Sequence, residues 1–166
     1  MKRFLLALLF IATFLLGYSF SRLTMPSANR PRVTGIGGIF FKAKDPATLK
    51  AWYSKYLGIG MTAYGANFEW RQGIDSTKKG FTIWTPFKET TKYFGPSEKQ
   101  FMINYRVEGL NQLLANMKAA GIVPVDSVQK VSYGSFVHIM DPEGNKIELW
   151  EPNDSEYAKM GTVVTK

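Results

Sequence analysis

The chain of 166 residues contains no cysteine and a single histidine, His138. Without thiols it can form no disulfide, no thiolate nucleophile and no zinc–sulfur centre. With one imidazole it cannot build a histidine-rich metal site. Low-complexity runs are missing too. Basic residues outnumber acidic ones by 21 to 13, a formal charge of +8, but they are scattered from end to end. No dense basic cluster coincides with a nucleic-acid motif, so the charge reads as a basic solvated surface and nucleic acid is not an expected partner. What the chain does have is aromatic side chains. Its 12 Phe, 8 Tyr and 4 Trp are ample for a packed core, and the length suits one domain plus an extension.

The extension lies at the N-terminus. Residues 1–21 open with Lys2 and Arg3, continue as an apolar run over 4–16 broken only by Thr13, and end among the small residues Gly17, Ser19 and Ser21. That order is the layout of a secretory signal, cleaved after Ser19 or Ser21, or of an uncleaved membrane anchor. The expectation is an extracytoplasmic protein that touches the membrane only through this segment. No cysteine follows the run, so the usual lipid-attachment box is missing. Residues 22–32 then read as a linker, 33–152 as the folded domain and 153–166 as a C-terminal tail.

Inside the domain one pattern occurs twice. Residues 33–44 read as a strand, and Asp45 followed by Pro46 is a helix start, a capping side chain before proline at the first helical position. Leu49, Trp52, Tyr53, Tyr56 and Leu57 then make one apolar stripe at helical spacing, stopped by Gly58. Strands are expected over 59–64, 67–72 and 80–86. After a long aromatic, lysine-rich loop over 87–99, the order returns. A strand over 100–107 precedes a helical stripe of Leu110, Leu113, Leu114 and Met117, stopped by Gly121. Strands follow over 122–128, 133–140 and 146–151. The two halves, about 33–86 and 100–151, are therefore each βαβββ, and the class is α+β with helices on one face of curled sheets. A loop as long as 87–99 suits a lid or binding loop, or a surface excursion.

The last hairpin, HIMDPEGNKIELW, poses a chemical question. Asp141, Pro142 and Gly144 specify a tight turn. Strand alternation puts Ile147 and Leu149 on one face and Lys146, Glu148 and Trp150 on the other. A carboxylate facing a partly buried space needs a partner. Lys146 could supply a salt bridge, and a cation is the other solution. On 100–107, Phe101, Ile103, Tyr105 and Val107 should meet the helix, leaving Gln100, Met102, Asn104 and Arg106 for a polar or cavity side. His138 shares its face with Phe136 and Met140, and either a site role or a satisfied structural histidine suits it. Trp70, Trp84 and Trp150 could wall a pocket or fill the core, and Glu69 with Arg71 reads as a surface pair.

The stretches GGIFFKAKDPATLKAWYSKYLGI, FMINYRVEGLNQLLANMKAAGI and GSFVHIMDPEGNKIELWEP resemble the vicinal oxygen chelate superfamily, which includes glyoxalase I, bleomycin-resistance proteins and extradiol dioxygenases. The resemblance implies two βαβββ modules curled around a shared cavity, a homodimer, and a small-molecule ligand or substrate. It also implies a divalent metal on the final-strand Glu148, with Gln100 and His138 as further ligands. The first-strand ligand position falls on Gly38, which has no side chain to give, and a fourth falls near Thr82 or Trp84. Glu148 and His138 are the implied catalytic groups. Asn104, Trp84, Trp150 and Phe40 are the expected pocket residues. Two functions stay open. One is a metal-assisted lyase, isomerase or dioxygenase-type enzyme acting on an oxygen-chelating substrate. The other is a metal-free binding or sequestering protein of the bleomycin-resistance type.

Overall fold

In a computed structural model, residues 31–73, 75–160 and 164–165 are described, so the expected signal over 1–21 and all but the last two residues of the linker expected over 22–32 lie outside the described residues. Among these, no helix is long and apolar enough to cross a membrane. The first strand, β1 (Arg32–Ala43), leads into α1 (Pro46–Leu57), then β2 (Ala66–Arg71) and β3 (Lys79–Lys88). The second half is β4 (Phe101–Glu108), α2 (Leu110–Ala119), β5 (Gln129–Val131), β6 (Gly134–Met140) and β7 (Lys146–Pro152). A short helix, α3 (Asp154–Lys159), and β8 (Val164–Thr165) are the last described elements.

All the strands join one mixed sheet in the order β5-β6-β7-β4-β1-β3-β2-β8. The first strands of the two halves, β1 and β4, meet antiparallel at its centre, and each pairs in parallel with the last strand of its own half, β3 or β7. The fold class is the expected α+β arrangement.

The helix signals work as their chemistry dictates. The Asp45 side chain accepts from the N–H groups of Ala47 and Thr48, and Gly58 ends α1 at φ 66°. Gly144 takes φ 76° in the β6–β7 turn, where the Asp141 carboxylate accepts from Glu143 and Asn145. The two helices differ in packing. Val107, Leu110, Val137, Ile139 and Leu149 form a buried cluster closed by Leu113, Leu114 and Met117 of α2. The stripe of α1 is mostly outside: Trp52, Tyr56 and Leu57 are each at least half exposed.

Two expected strands do not form. Over 59–64 only Met61 makes an isolated bridge, to Ala66. Thr62 closes a local turn with Gly65 through both its N–H and its hydroxyl, which takes the groups a ladder would need. Over 122–128, Pro124 has no N–H to give. Val125 N–H reaches the His138 carbonyl at 2.7 Å, and the Asp126 carboxylate, not a strand backbone, accepts the His138 N–H at 2.9 Å. The short β5 forms later instead. Residues 153–166, expected as a tail, contain α3 and a strand, β8, paired in parallel with β2.

Candidate functional site

One row of residues crosses six strands of the sheet. Asn67 of β2 stands beside Ile83 of β3, then Gly38 of β1, Asn104 of β4, Glu148 of β7 and His138 of β6. Alternation along β7 turns Ile147 and Leu149 to the α2 side and leaves Glu148 on the opposite face, as the sequence implies. There Glu148 is 3% exposed and His138 is 4% exposed.

Both oxygens of the buried carboxylate hold partners, with one lone pair of the four left open. Glu148 Oε1 lies 3.0 Å from His138 Nε2 and accepts the Tyr93 hydroxyl hydrogen bond, while Oε2 accepts from Asn104 Nδ2. The other ring nitrogen, His138 Nδ1, lies 2.6 Å from Asp126 Oδ2. Both imidazole nitrogens therefore face carboxylates. Each of the two nitrogen–oxygen contacts needs one proton between its partners. Lys146 does not form the ion pair open to it. Its Nζ donates to the Tyr93 carbonyl at 2.7 Å, and burial lowers its pKa, opposed by the Asp126 and Glu148 charges. Tyr93 is pushed up from 10.0, first by burial and then by the Glu148 charge, so its hydroxyl stays a donor.

These groups face a cavity of about 220 Å³, whose other walls include Phe40, Ile83, Phe136, Trp150 and Tyr157. Asn104, Trp150 and Phe40 line it. Trp84 does not: it packs with Phe41 and Tyr53 of β1 and α1, 5.0 and 4.7 Å between ring centroids. Trp70 and Thr82 bond to each other, 2.9 Å from Nε1 to Oγ1, and Glu69 pairs with Lys79 rather than Arg71. The 87–99 loop brings in Tyr93 and is pinned by Lys146 and by Ser97, whose hydroxyl donates to the Gly144 carbonyl. Sequence reasoning did not single out Tyr93 or Asp126. The loop's aromatic content was the only signal for the first. The second sits in a segment whose side chain replaces the strand expected there.

The expected metal ligands do not converge. Glu148 and His138 are in contact, but Gln100 is exposed just ahead of β4. It lies four residues from Asn104, about 13 Å along a strand. A Cβ at Gly38 would meet the Phe40 ring at 2.6 Å, so a donor side chain there would require that ring to move. Among the described residues no three His, Asp or Glu side chains are grouped to hold a metal ion. The donor set does not fit a divalent metal as it stands, since Glu148 and His138 spend their lone pairs and protons on each other, Asp126, Asn104 and Tyr93.

No protein-family model matches the chain. No curated protein matches it either. Solved structures do. A methylmalonyl-CoA epimerase from Streptomyces coelicolor, in complex with 2-nitronate-propionyl-CoA, is 14% identical, with a TM-score of 0.54 over 74% of this chain and 99% of its own. A methylmalonyl-CoA epimerase from Mycobacterium tuberculosis is 16% identical, with a TM-score of 0.49 over 83% of this chain and 99% of its own. The Mn(II)-bound glyoxalase from Novosphingobium aromaticivorans is 19% identical, with a TM-score of 0.49 over 74% of this chain and 40% of its own. With its paired modules and curled mixed sheet, the chain has the vicinal oxygen chelate, or glyoxalase-like, fold.

Proposed function

We propose that the protein is an extracytoplasmic small-molecule enzyme that moves a proton at a carbon next to a carbonyl, an isomerase- or lyase-type reaction with Glu148 as the base. The observation that carries this reading is the buried Glu148 on the wall of a cavity, 3.0 Å from His138 Nε2, while Asp126 holds the other ring nitrogen. Such a chain of groups is suited to taking a proton and passing it on. Glu148 accepts the proton from carbon. Asn104 Nδ2 and the Tyr93 hydroxyl, which hold the carboxylate, are then released to donate to the oxygen of the developing enolate. His138 returns the proton, and Asp126 is the positioning residue that orients the ring. The aromatic walls keep water from the reacting carbon. The epimerases of this fold are solved with acyl-CoA compounds, which supports an acyl or other carbonyl substrate here. No step is assigned to a metal, because Gln100 lies outside the cluster and the remaining donors are already paired.

The test is exchange of α-hydrogen. The protein is incubated in D2O with 2-oxo compounds, 2-hydroxy carbonyl compounds and acyl thioesters, and deuterium incorporation is followed by NMR. Exchange above buffer that falls about 10²–10⁴-fold in Glu148→Gln is the expected result. Ligands that raise the melting temperature without any exchange would favour the sequestering protein instead. Export belongs to the same proposal and rests on residues 1–21. N-terminal sequencing of fractionated protein checks it, and a full-length soluble cytoplasmic chain would refute it. The homodimer is supported by the apolar α1 stripe left exposed, and light scattering of the purified protein decides it.

A further inference from the structure

A second cavity, of about 420 Å³, has no part in the chemistry above. Its lining includes Arg106, Arg32, Lys78 and Asp154. Arg106 stands two residues beyond Asn104 on β4 and is 2% exposed. Its guanidinium lies between two indoles, 5.1 Å from the Trp150 ring and 5.7 Å from that of Trp70. Stacking fixes the plane and leaves only the edges for hydrogen bonding.

Those edges are poorly used. Both oxygens of Asp154 lie on one nitrogen, Nη2, each at 2.8 Å. A guanidinium matched to a carboxylate offers two nitrogens to two oxygens. Here Nε and Nη1 are buried and have no hydrogen-bond partner, and Nε of Arg32 is in the same condition. The other acids of the lining are engaged elsewhere. Glu108 pairs with Arg32, Asp75 with Lys78, and Glu151 accepts from the N–H groups of Gly109 and Leu110. Asp154 itself is one-third exposed to the cavity and stands at the first position of a six-residue helix. Turning it away would release Arg106 and one further contact, from Gln72 Nε2 to Oδ2 at 3.2 Å.

We propose that this cavity binds a small monocarboxylate at Arg106, and that Asp154 is a tethered stand-in which the ligand replaces. Departure of Asp154 would leave three cations, Arg32, Lys78 and Arg106, facing three acids, Asp75, Glu108 and Glu151. That balance accepts one negative charge of the kind Asp154 carries and disfavours a dianion such as phosphate. The inference stands apart from the proton-transfer reading, since the two share only Trp150, which walls the first cavity and lies against Arg106.

The test titrates the full chain with [1-¹³C]butyrate, with inorganic phosphate as comparison, and follows carboxyl line broadening and melting temperature. Wild type should bind butyrate weakly. Asp154→Ala should bind it about tenfold tighter or more, because an intramolecular competitor has been removed. Adding Arg106→Lys to that variant should abolish the gain, and Glu148→Gln should leave butyrate binding as in wild type, whatever becomes of the exchange activity. Asp154→Asn, which keeps the side-chain shape, repeats the comparison should the alanine variant not fold. Equal butyrate affinity in wild type and a folded Asp154 variant would overturn the proposal, as would tighter binding of phosphate. Failure of both variants to fold would also overturn it, by making the ion pair a structural pin.

Discussion

The two halves, βαββ and βαβββ, share a pattern of strand pairing and are opposite in chemistry. Across the antiparallel β1–β4 junction Gly38 corresponds to Asn104, Ile83 to Glu148 and Asn67 to His138. The second half has a carboxylate, an imidazole and an amide where the first has an isoleucine, an amide and no side chain. The first half's share of the curled face is filled from within. Tyr157 of α3 is 5% exposed, packs 5.0 Å from Phe81 and 5.3 Å from Trp150, and meets Asn67 through its hydroxyl. A repeated backbone therefore supplies two equivalent places, and side chains decide which one is a reaction site and which one is closed by the chain's own end.

Four changes sharpen or break this contrast. The largest effect is expected for Glu148→Gln, with the loss of α-hydrogen exchange of about 10²–10⁴-fold given above and the fold retained by circular dichroism. Retained exchange would mean that the second half is not the reactive one. Next is Tyr157→Ala, which removes a buried aromatic plug from the first half and should cost about 3–5 kcal/mol in denaturant unfolding. A value below about 1 kcal/mol would show that α3 does not close that half. Asp126→Asn follows. It removes the charge behind His138 and should lower kcat by an amount worth about 1.5–3 kcal/mol with little change in KM. An equal rise in KM would move Asp126 from positioning to substrate binding.

The smallest effect concerns alkaline stability. Tyr93 has its pKa raised above 10.0, by burial first and by the Glu148 charge second. Its contribution is fully present below pH 10. Above that the unfolded chain loses the phenolic proton while the folded one keeps it, so stability falls as pH rises. Wild type should therefore lose melting temperature between pH 9.5 and 11 more steeply than Tyr93→Phe. Parallel curves would show that the hydroxyl is not held at the carboxylate.

Much of the scaffold was legible. Asp45, Pro46 and Gly58 bracket a helix by local chemistry, and Asp141 with Gly144 closes a turn by the same kind of rule. Those signals depend on atoms a few residues apart, which is why they survive in the folded protein. Strand alternation put Glu148, Lys146 and Trp150 on one face, away from Ile147 and Leu149. It could not say what that carboxylate would meet. Lys146 was the near neighbour in sequence, yet its amine goes to the Tyr93 carbonyl, 53 residues away. Trp84 was expected in the cavity and lies on the α1 side, because its face on β3 is opposite that of Ile83.

The sequence by itself determined the duplication, the helix limits, the last turn and the face on which Glu148 stands, since all four follow from period and short-range hydrogen bonding. Only the tertiary structure decided that Gly38, Asn104, Glu148 and His138 share one row. Register between strands distant in the chain is chosen by packing of whole faces, not by any local residue. The same holds for Asp126 and Arg106. Asp126 finds His138 because a loop displaced a strand, and Arg106 is buried between two indoles from opposite halves of the sheet, a placement that 3.3 Å steps along one strand cannot foretell.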